Sequence, residues 1–373
     1  MASNHKNDVA SSQQIDFATR AIICLGAVPG SLAMMAISSV LPKIDAALAH
    51  NANDAMLVKQ LVGGVGLAMI FGAPLGGFLV GHLGLRTMLV LASLLYAIAG
   101  TAGLYLDTLD WLLASRLLLG VMAAAIQVTV LTLINARLDG TVRAKWMGVH
   151  ISMAMVVAIG AYPIAGVLGE ISWRMPFLLY LMGLIIVPAA LSMSNRTVLV
   201  AETFPAGAGE NPTGEGFFTW FPFRYLALGL CTGTIMFMMN IYGPFLMHDA
   251  GVDSPTIISL ILTADSIAGA SMAMVYGRFR RRYSASNAFG LSFLMAATGA
   301  AIVAMASDIV GVFIGLLIFG IGGGWLVPNL LTSLAEGLQR EQQGRAAGLV
   351  KGAHFAAAPD GVLVTAPIVE RYG

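Results

Sequence analysis

The chain has 373 residues, of which 58% are apolar and only 10% charged, with a formal net charge of +1 and a mean hydropathy of +0.82. A soluble domain carries roughly 25% charged residues, so a soluble protein of this length would lack the polar surface to stay in water. No Lys/Arg block is long enough to hold a nucleic acid; the one dense cluster, Arg278, Arg280, Arg281 and Arg282, follows directly on an apolar run.

The segment Met1–Ile15 is polar and lacks the basic-then-apolar order of a cleaved signal, which predicts a tail at 1–19 on the cytoplasmic side and a first span that stays in the mature protein. A bilayer core about 30 Å thick needs roughly 20 apolar residues as helix. Runs of that kind predict eleven spans, at 20–41, 58–80, 87–106, 111–136, 145–169, 176–193, 223–246, 256–277, 286–307, 309–335 and 345–367. They are long and lack period-2 alternation, and lipid requires each spanning element to satisfy its own backbone, so the expected class is all-α and integral to the membrane. Cys24 and Cys231 lie in separate apolar runs without metal or redox spacing and read as small packing residues.

Orientation follows from the basic residues. With the N-terminus inside, fourteen fall on the cytoplasmic side, from Lys6, Arg20 and Arg86 through Arg137, Arg143, Lys145, Arg196, Arg224 and the Arg278–Arg282 cluster to Arg340 and Arg345. Only Lys43, Lys59, Arg174 and Arg371 fall outside, and Arg116 and Lys351 lie within spans. The expected location is the plasma membrane, the inner membrane in a bacterium, with the N-terminus cytoplasmic and the C-terminus outside.

The stretch Pro205–Gly216 is rich in Gly and Pro and reads as a flexible linker within 194–222. It separates a six-helix bundle at 20–193 from five spans at 223–373. The halves repeat at about 200 residues: Arg20–Pro42 parallels Arg224–Pro244, Gly81–Arg86 parallels Gly277–Arg282, and Leu117–Gly120 parallels Leu316–Gly320. Two similar halves around a linker suit a transporter whose substrate site lies between them near the midplane. By this alignment Arg371–Gly373 corresponds to Trp173–Arg174, so a twelfth span is expected after Gly373, with truncation favoured over a natural eleven-span form.

Four local patterns carry a family resemblance. After the second span stands Gly77-Phe-Leu-Val-Gly81-His82-Leu-Gly84-Leu-Arg86; the fourth span has Arg116-Leu-Leu-Leu-Gly120; the fifth has Tyr162-Pro163-Ile-Ala-Gly166; and Ser172-Trp173-Arg174-Met-Pro-Phe177 leads into the sixth. Together these resemble the major facilitator superfamily across nearly the whole chain, its drug/proton antiporters in particular. The resemblance implies two six-helix pseudo-repeats, here lacking the last helix, and a gating motif at Gly77, Gly81, Gly84 and Arg86. Gly81 stands where the family motif has an acid and His82 where it has the first base, so the charge lock of that motif is altered; Tyr162 stands where the antiporter motif has glycine.

Charge within a span costs several kcal/mol unless paired or hydrated, so each such residue is a candidate site. Arg116 and Gln127 are eleven residues apart, which returns to one helix face; the alternative is an Arg116 that bonds backbone carbonyls or reaches for headgroups. Asp265 lies mid-span beside Ser259, Thr263 and Ser266, where burial disfavours the ionised form and suits proton exchange. Lys351 and His354 share a face, while Asp360 lies about 240° round from His354 unless Pro359 bends the helix. Asn240 and Tyr242 with Trp325 and Asn329 suit a pocket lining, and His150 reads as a packed residue. Gly320-Ile-Gly-Gly-Gly324 inside an apolar span reads as a helix-contact surface rather than a phosphate loop.

The expected function is therefore alternating-access secondary transport, as proton-coupled export of small organic compounds by a monomer, since apolar Met-rich spans suit amphiphilic ligands. Uptake of a small organic anion through Arg116 and Lys351 is the alternative, and a non-transporting receptor or scaffold the other class. No nucleophile, metal or cofactor spacing points to an enzyme. The charge asymmetry predicts that Asn53→Cys is labelled by a membrane-impermeant maleimide in intact cells, whereas Arg281→Cys is labelled only after permeabilisation.

Overall fold

A computed structural model describes residues 15–138, 140–193, 221–306, 308–338 and 346–358. The expected linker at 194–222 and the end of the chain, Asp360 included, fall largely or wholly outside these residues. Nine helices are long and apolar enough to cross a bilayer among the described residues. These are α1 (Phe17–Leu48), α2 (Ala52–Leu83), α3 (Leu85–Leu104), α4 (Leu109–Arg137), α5 (Gly140–Ile171), α7 (Arg224–Asp249), α8 (Pro255–Arg280), α9 (Ala285–Met305) and α10 (Ile309–Glu336). Between them lies the shorter α6 (Met175–Leu191), and α11 is helical over 346–358.

α6 is short in residues yet not in reach. Its first eleven residues, Met175–Ile185, form a 3₁₀ helix and only Ile186–Leu191 is α-helical. At about 2.0 Å per residue for the tighter helix and 1.5 Å for the other, the element extends about 31 Å, close to the hydrocarbon thickness.

Local chemistry sets the ends. Asn51, Ser254, Ser284 and Asp308 each cap a helix N-terminus, accepting from the backbone N–H of Asp54, Ile257, Asn287 and Gly311. α1 is broken into segments at Gly26–Ala27 and at Ile37, with Pro29 and Pro42 placed in the first turns of the segments that follow. Pro74, Pro163, Pro244 and Pro328 sit inside long helices, which membrane helices accommodate because neighbours re-satisfy the freed backbone groups. Gly84 joins α2 to α3 at φ +79°, a left-handed conformation that disfavours any side chain.

Without a hydrophobic drive between helices in lipid, association rests on close packing, and small residues allow it. A Cβ on Gly72 would lie 2.6 Å from the Val121 backbone, one on Gly76 2.7 Å from Ala125 Cα, and one on Gly120 2.6 Å from the Val65 carbonyl oxygen. These contacts weld α2 to α4. The second half repeats the arrangement, for Gly269, Gly320 and Gly324 bring α8 and α10 into backbone contact. The run Gly320–Gly324 serves three neighbours: Gly320 and Gly324 meet α8, Gly322 meets Ser292 and Ala296 of α9, and Gly323 meets Met236 of α7. Gly229 and Gly233 of α7 likewise seat α11 through Val350, Ala353, His354 and Ala357.

One apolar core joins α1 to α6, and two smaller cores join the helices of the second half. The cores interpenetrate at the seam between halves. Phe237, Tyr242, Phe245 and Phe355 pack on the first core, while Tyr162 and Met35 pack on the second. Gly72→Leu is expected to lower the melting temperature of the detergent-solubilised protein by several degrees or prevent folding, because the Val121 backbone has no room to move. Gly290→Ala, at a helical glycine with nothing within 4 Å of the added Cβ, should be neutral or raise stability by up to about 1 kcal/mol; a thermal melt of both variants checks the pair.

Candidate functional site

The seam is closed at the end of the bundle that bears Glu170. There the Ser38 hydroxyl of α1 donates to the Asn240 carbonyl oxygen of α7, and the Tyr162 hydroxyl of α5 donates to Asn240 Oδ1. The Asn240 side-chain N–H groups turn back to the Met236 carbonyl at 3.0 Å, which fixes the amide so that its oxygen faces Tyr162. Glu170, at the end of α5, accepts from the Ser254 hydroxyl and from the Thr256 backbone N–H at 3.2 Å. It thereby caps the first turn of α8 from the opposite half, where the helix dipole favours an anion. Lys43 lies 3.7 Å from the same carboxylate and donates to the Gly169 carbonyl at 3.1 Å.

Shape completes the closure. Gly166 lies against Ser259 and Pro255, and Gly169 against Val40 and Pro255, so the absence of side chains on α5 lets α8 approach it closely. Lys59 of α2 stands 5.4 Å from the ring centroids of both Tyr242 and Phe245, a cation–π contact across the seam. At the other end, which carries Arg278–Arg282, α8 is less enclosed: Pro255–Thr263 is mostly buried, whereas Ala264–Val275 is half-buried or exposed throughout.

Asp265 sits where these two regimes meet, ten residues into α8 and so about 15 Å along it. Its Oδ1 is shut away from solvent with no hydrogen-bond partner. The reason is the glycine seam, because a Cβ on Gly320 would lie 2.5 Å from that oxygen. The expected polar stripe beside Asp265 serves the helix itself: Ser259 donates to the Thr256 carbonyl and Thr263 to the Ser259 carbonyl.

α11 meets both halves. Phe355 and Ala358 contact Gly66 of α2, while the opposite face rests on α7. His354 Nδ1 lies 3.3 Å from the Thr232 hydroxyl, and its ring is 5.3 Å from Phe237 and 5.7 Å from Phe355. Lys351 is one turn before Phe355 on the same face, towards the less enclosed end, and is exposed.

Other expected site residues have different places. Arg116 does not line the seam. It is fully buried in the first half, donating to the carbonyls of Ala33 at 2.6 Å and Leu61 at 3.3 Å and to the Tyr180 hydroxyl at 2.7 Å, with Nη1 unpartnered. The Tyr180 and Phe177 rings lie 4.6 and 5.8 Å from the guanidinium, so the carbonyl-bonded alternative describes its geometry. Gln127 packs its amide on Gly30 of α1. Trp325 and Asn329 do not share a lining with Asn240 and Tyr242, because their polar atoms staple α10 within its own half. Trp325 donates to the Met272 carbonyl at 2.7 Å, and Asn329 accepts from Tyr276 at 3.0 Å and donates to Ala285 at 2.9 Å.

In the expected gating motif, Gly84 makes the turn, Gly77 lies 3.8 Å from Val128, Gly81 faces open space, Arg86 is half-buried, and His82 is exposed with Nδ1 2.9 Å from the Phe78 carbonyl. His150 is buried with Nδ1 2.8 Å from the Ile23 carbonyl. Among the described residues no group of three or more His, Cys, Asp or Glu is arranged to hold a metal. Sequence reasoning missed Glu170 and Ser38 and noted Tyr162 only as a departure from a motif; the signal available for Glu170 was an acid at the end of a span followed, in the other half, by the Ser254-Pro255 helix start.

The profile of the Major Facilitator Superfamily matches residues 23–359. No curated protein matches the chain in sequence. Among solved structures, a mutant of the nucleoside transporter NupG is similar at 15% identity, with a TM-score of 0.78, covering 95% of this chain and 92% of that one. The D-xylose-proton symporter follows at 15% identity and a TM-score of 0.75, covering 94% and 89%. A bacterial homolog of the human lysosomal transporter Spinster is similar at 15% identity and a TM-score of 0.71, covering 94% and 81%.

The cross-seam cap yields a direct expectation. Val40→Cys, fully buried beside Gly169, should react slowly with a membrane-impermeant maleimide. Adding Glu170→Ala or Ser254→Ala should raise the labelling rate severalfold, and an unchanged rate in both would show that the cap does not hold this end shut.

Proposed function

The chain belongs to the Major Facilitator Superfamily, a family of membrane transporters, and from that premise we propose that it exports small organic compounds by alternating access in exchange for protons. The observation that carries the reading is the Asp265 carboxyl, at mid-depth in α8, with Oδ1 buried against Gly320 and unpartnered. An ionised carboxylate is poorly solvated at that depth. Protonated, the carboxyl leaves the close packing of α8 on α5 and α10 undisturbed. Ionised, it places an unpaired charge within that packing and loosens it. Proton occupancy and closure of the seam are thus linked through α8.

Support for proton coupling also comes from the fold, which is shared with a protein named as a D-xylose-proton symporter. Export is favoured by the chemistry near the seam, where Met35 and Met238 join aromatic rings with few fixed polar groups; such surfaces adapt to varied amphiphiles. The reading sets the Arg278–Arg282 end in the cytoplasm, in keeping with the fourteen of 20 basic residues that the sequence assigns to that side. The protein then rests open to the cytoplasm and closed outward, as a monomer in the plasma membrane.

The test is proton flux in liposomes against a panel of compounds. Asp265→Asn should reduce substrate-coupled proton movement at least tenfold while sparing substrate exchange, which needs no net proton transfer. Undiminished coupling in Asp265→Asn would remove this carboxyl from the mechanism.

A further inference from the structure

We propose that Lys351 recognises an anionic group on the transported compound, so that the substrates are amphiphilic organic anions, carboxylates foremost. This rests on the reading of the seam as the transport path and narrows its substrate class.

The argument begins with helical geometry. Lys351, Phe355 and Ala358 are related by four and seven residues and therefore share one face of α11. Phe355 and Ala358 on that face touch Gly66 of α2, at distances from its added Cβ of 3.0 and 2.8 Å. Lys351 thus looks toward the first half, about 6 Å before the point where the halves meet, and is exposed whereas Ala357 and Ala358 are buried.

Lys351 lies one turn before His354 on α11. Among the described residues no carboxylate forms an ion pair with Lys351, although Lys43, Arg137, Arg174, His248 and Arg280 all have acidic partners. An ammonium held in a membrane-embedded cleft without a counter-charge is a standing demand for an anion. Beside it, Phe237 and Phe355 stand 5.9 Å apart with His354 against both rings, an aromatic cluster for the body of such a ligand. A point charge next to aromatic faces fits a carboxylate on a hydrophobic frame better than a sugar, which presents many hydroxyls and no charge.

The test uses three probes with one apolar body, 2-naphthoate, 2-naphthamide and 2-naphthylmethylammonium, added to the purified full-length protein. Ligand-induced stabilisation is read as the shift in melting temperature without a proton gradient. Naphthoate is expected to stabilise the wild type more than the amide, and the ammonium not at all. The naphthoate shift should vanish in Lys351→Gln, whose own melting temperature shows that it folds, and persist in Lys351→Arg. A naphthoate shift no larger than that of the amide, or one that survives in Lys351→Gln, overturns the proposal. Because binding is measured at equilibrium, either result is independent of whether Asp265 couples protons; loss of anion preference with intact coupling sinks only this inference, and the converse sinks only the other.

Discussion

A bilayer core offers no hydrogen bonds, and most of the structure follows from that single fact. Every backbone group must be paired within its own element, which leaves helices, and buried side-chain donors are driven to find partners inside the protein. Arg116 shows how far this goes. With no ion pair among the described residues, its guanidinium is kept by two carbonyls, one tyrosine hydroxyl and two aromatic faces, and one nitrogen, Nη1, still goes without a partner. Its position ties α1, α2, α4 and α6 together from within. The same constraint makes glycine the working residue of the packing, because helices that gain little from burying apolar surface must gain from contact area instead. The welds of α2 to α4 and of α8 to α10 give two stiff blocks, and polar groups reach from one to the other across the seam.

That division explains what each region of the molecule does. Inside a block, several polar side chains bond to their own half: Asn329 to Tyr276 and Ala285, Trp325 to Met272, Tyr96 to Pro29. At the seam they reach across, as Ser38 and Tyr162 do to Asn240 and Glu170 does to the start of α8. Bonds of the first kind give rigidity. Bonds of the second kind must break and re-form if the halves rock, and the Asp265 Oδ1 nearby in α8 is still uncommitted.

Much of this was legible in the sequence, for particular reasons. Span lengths follow from apolar runs, and only α6 escapes the length rule, because a 3₁₀ stretch covers more distance per residue than the sequence period suggests. The repeat of Leu117–Gly120 in Leu316–Gly320 anticipated matching contacts, since Gly120 meets Val65 and Ala68 of α2 and Gly320 meets Asp265 of α8. The run Gly320–Gly324 was read correctly as a packing surface, though not that it faces three helices. Asp265 stood out in the sequence by depth alone. What failed was the direction in which a polar side chain points. Arg116, Trp325 and Asn329 sit in spans as polar residues do at a site, and a helix period cannot say whether the face they share looks into a block or onto the seam. The partners across the seam were out of reach for the same reason: Glu170 and Ser254 are 84 residues apart, and no local pattern joins them.

The one-sided seam also makes the unloaded protein an unequal two-state system. Four hydrogen bonds cross at the Glu170 end among the described residues. At about 1 kcal/mol net for each, with the apolar contact set aside, the inequality is about 4 kcal/mol, or roughly a thousandfold in population. A resting molecule then presents its cleft to one compartment nearly all the time. The opposite face becomes accessible only when a bound species binds the rarer conformer more tightly by a comparable margin. Such a bias acts as a rectifier. Leakage of a compound that merely fits the cleft is suppressed by the rarity of the second state, and throughput is set by how well a cargo or proton offsets four specific bonds.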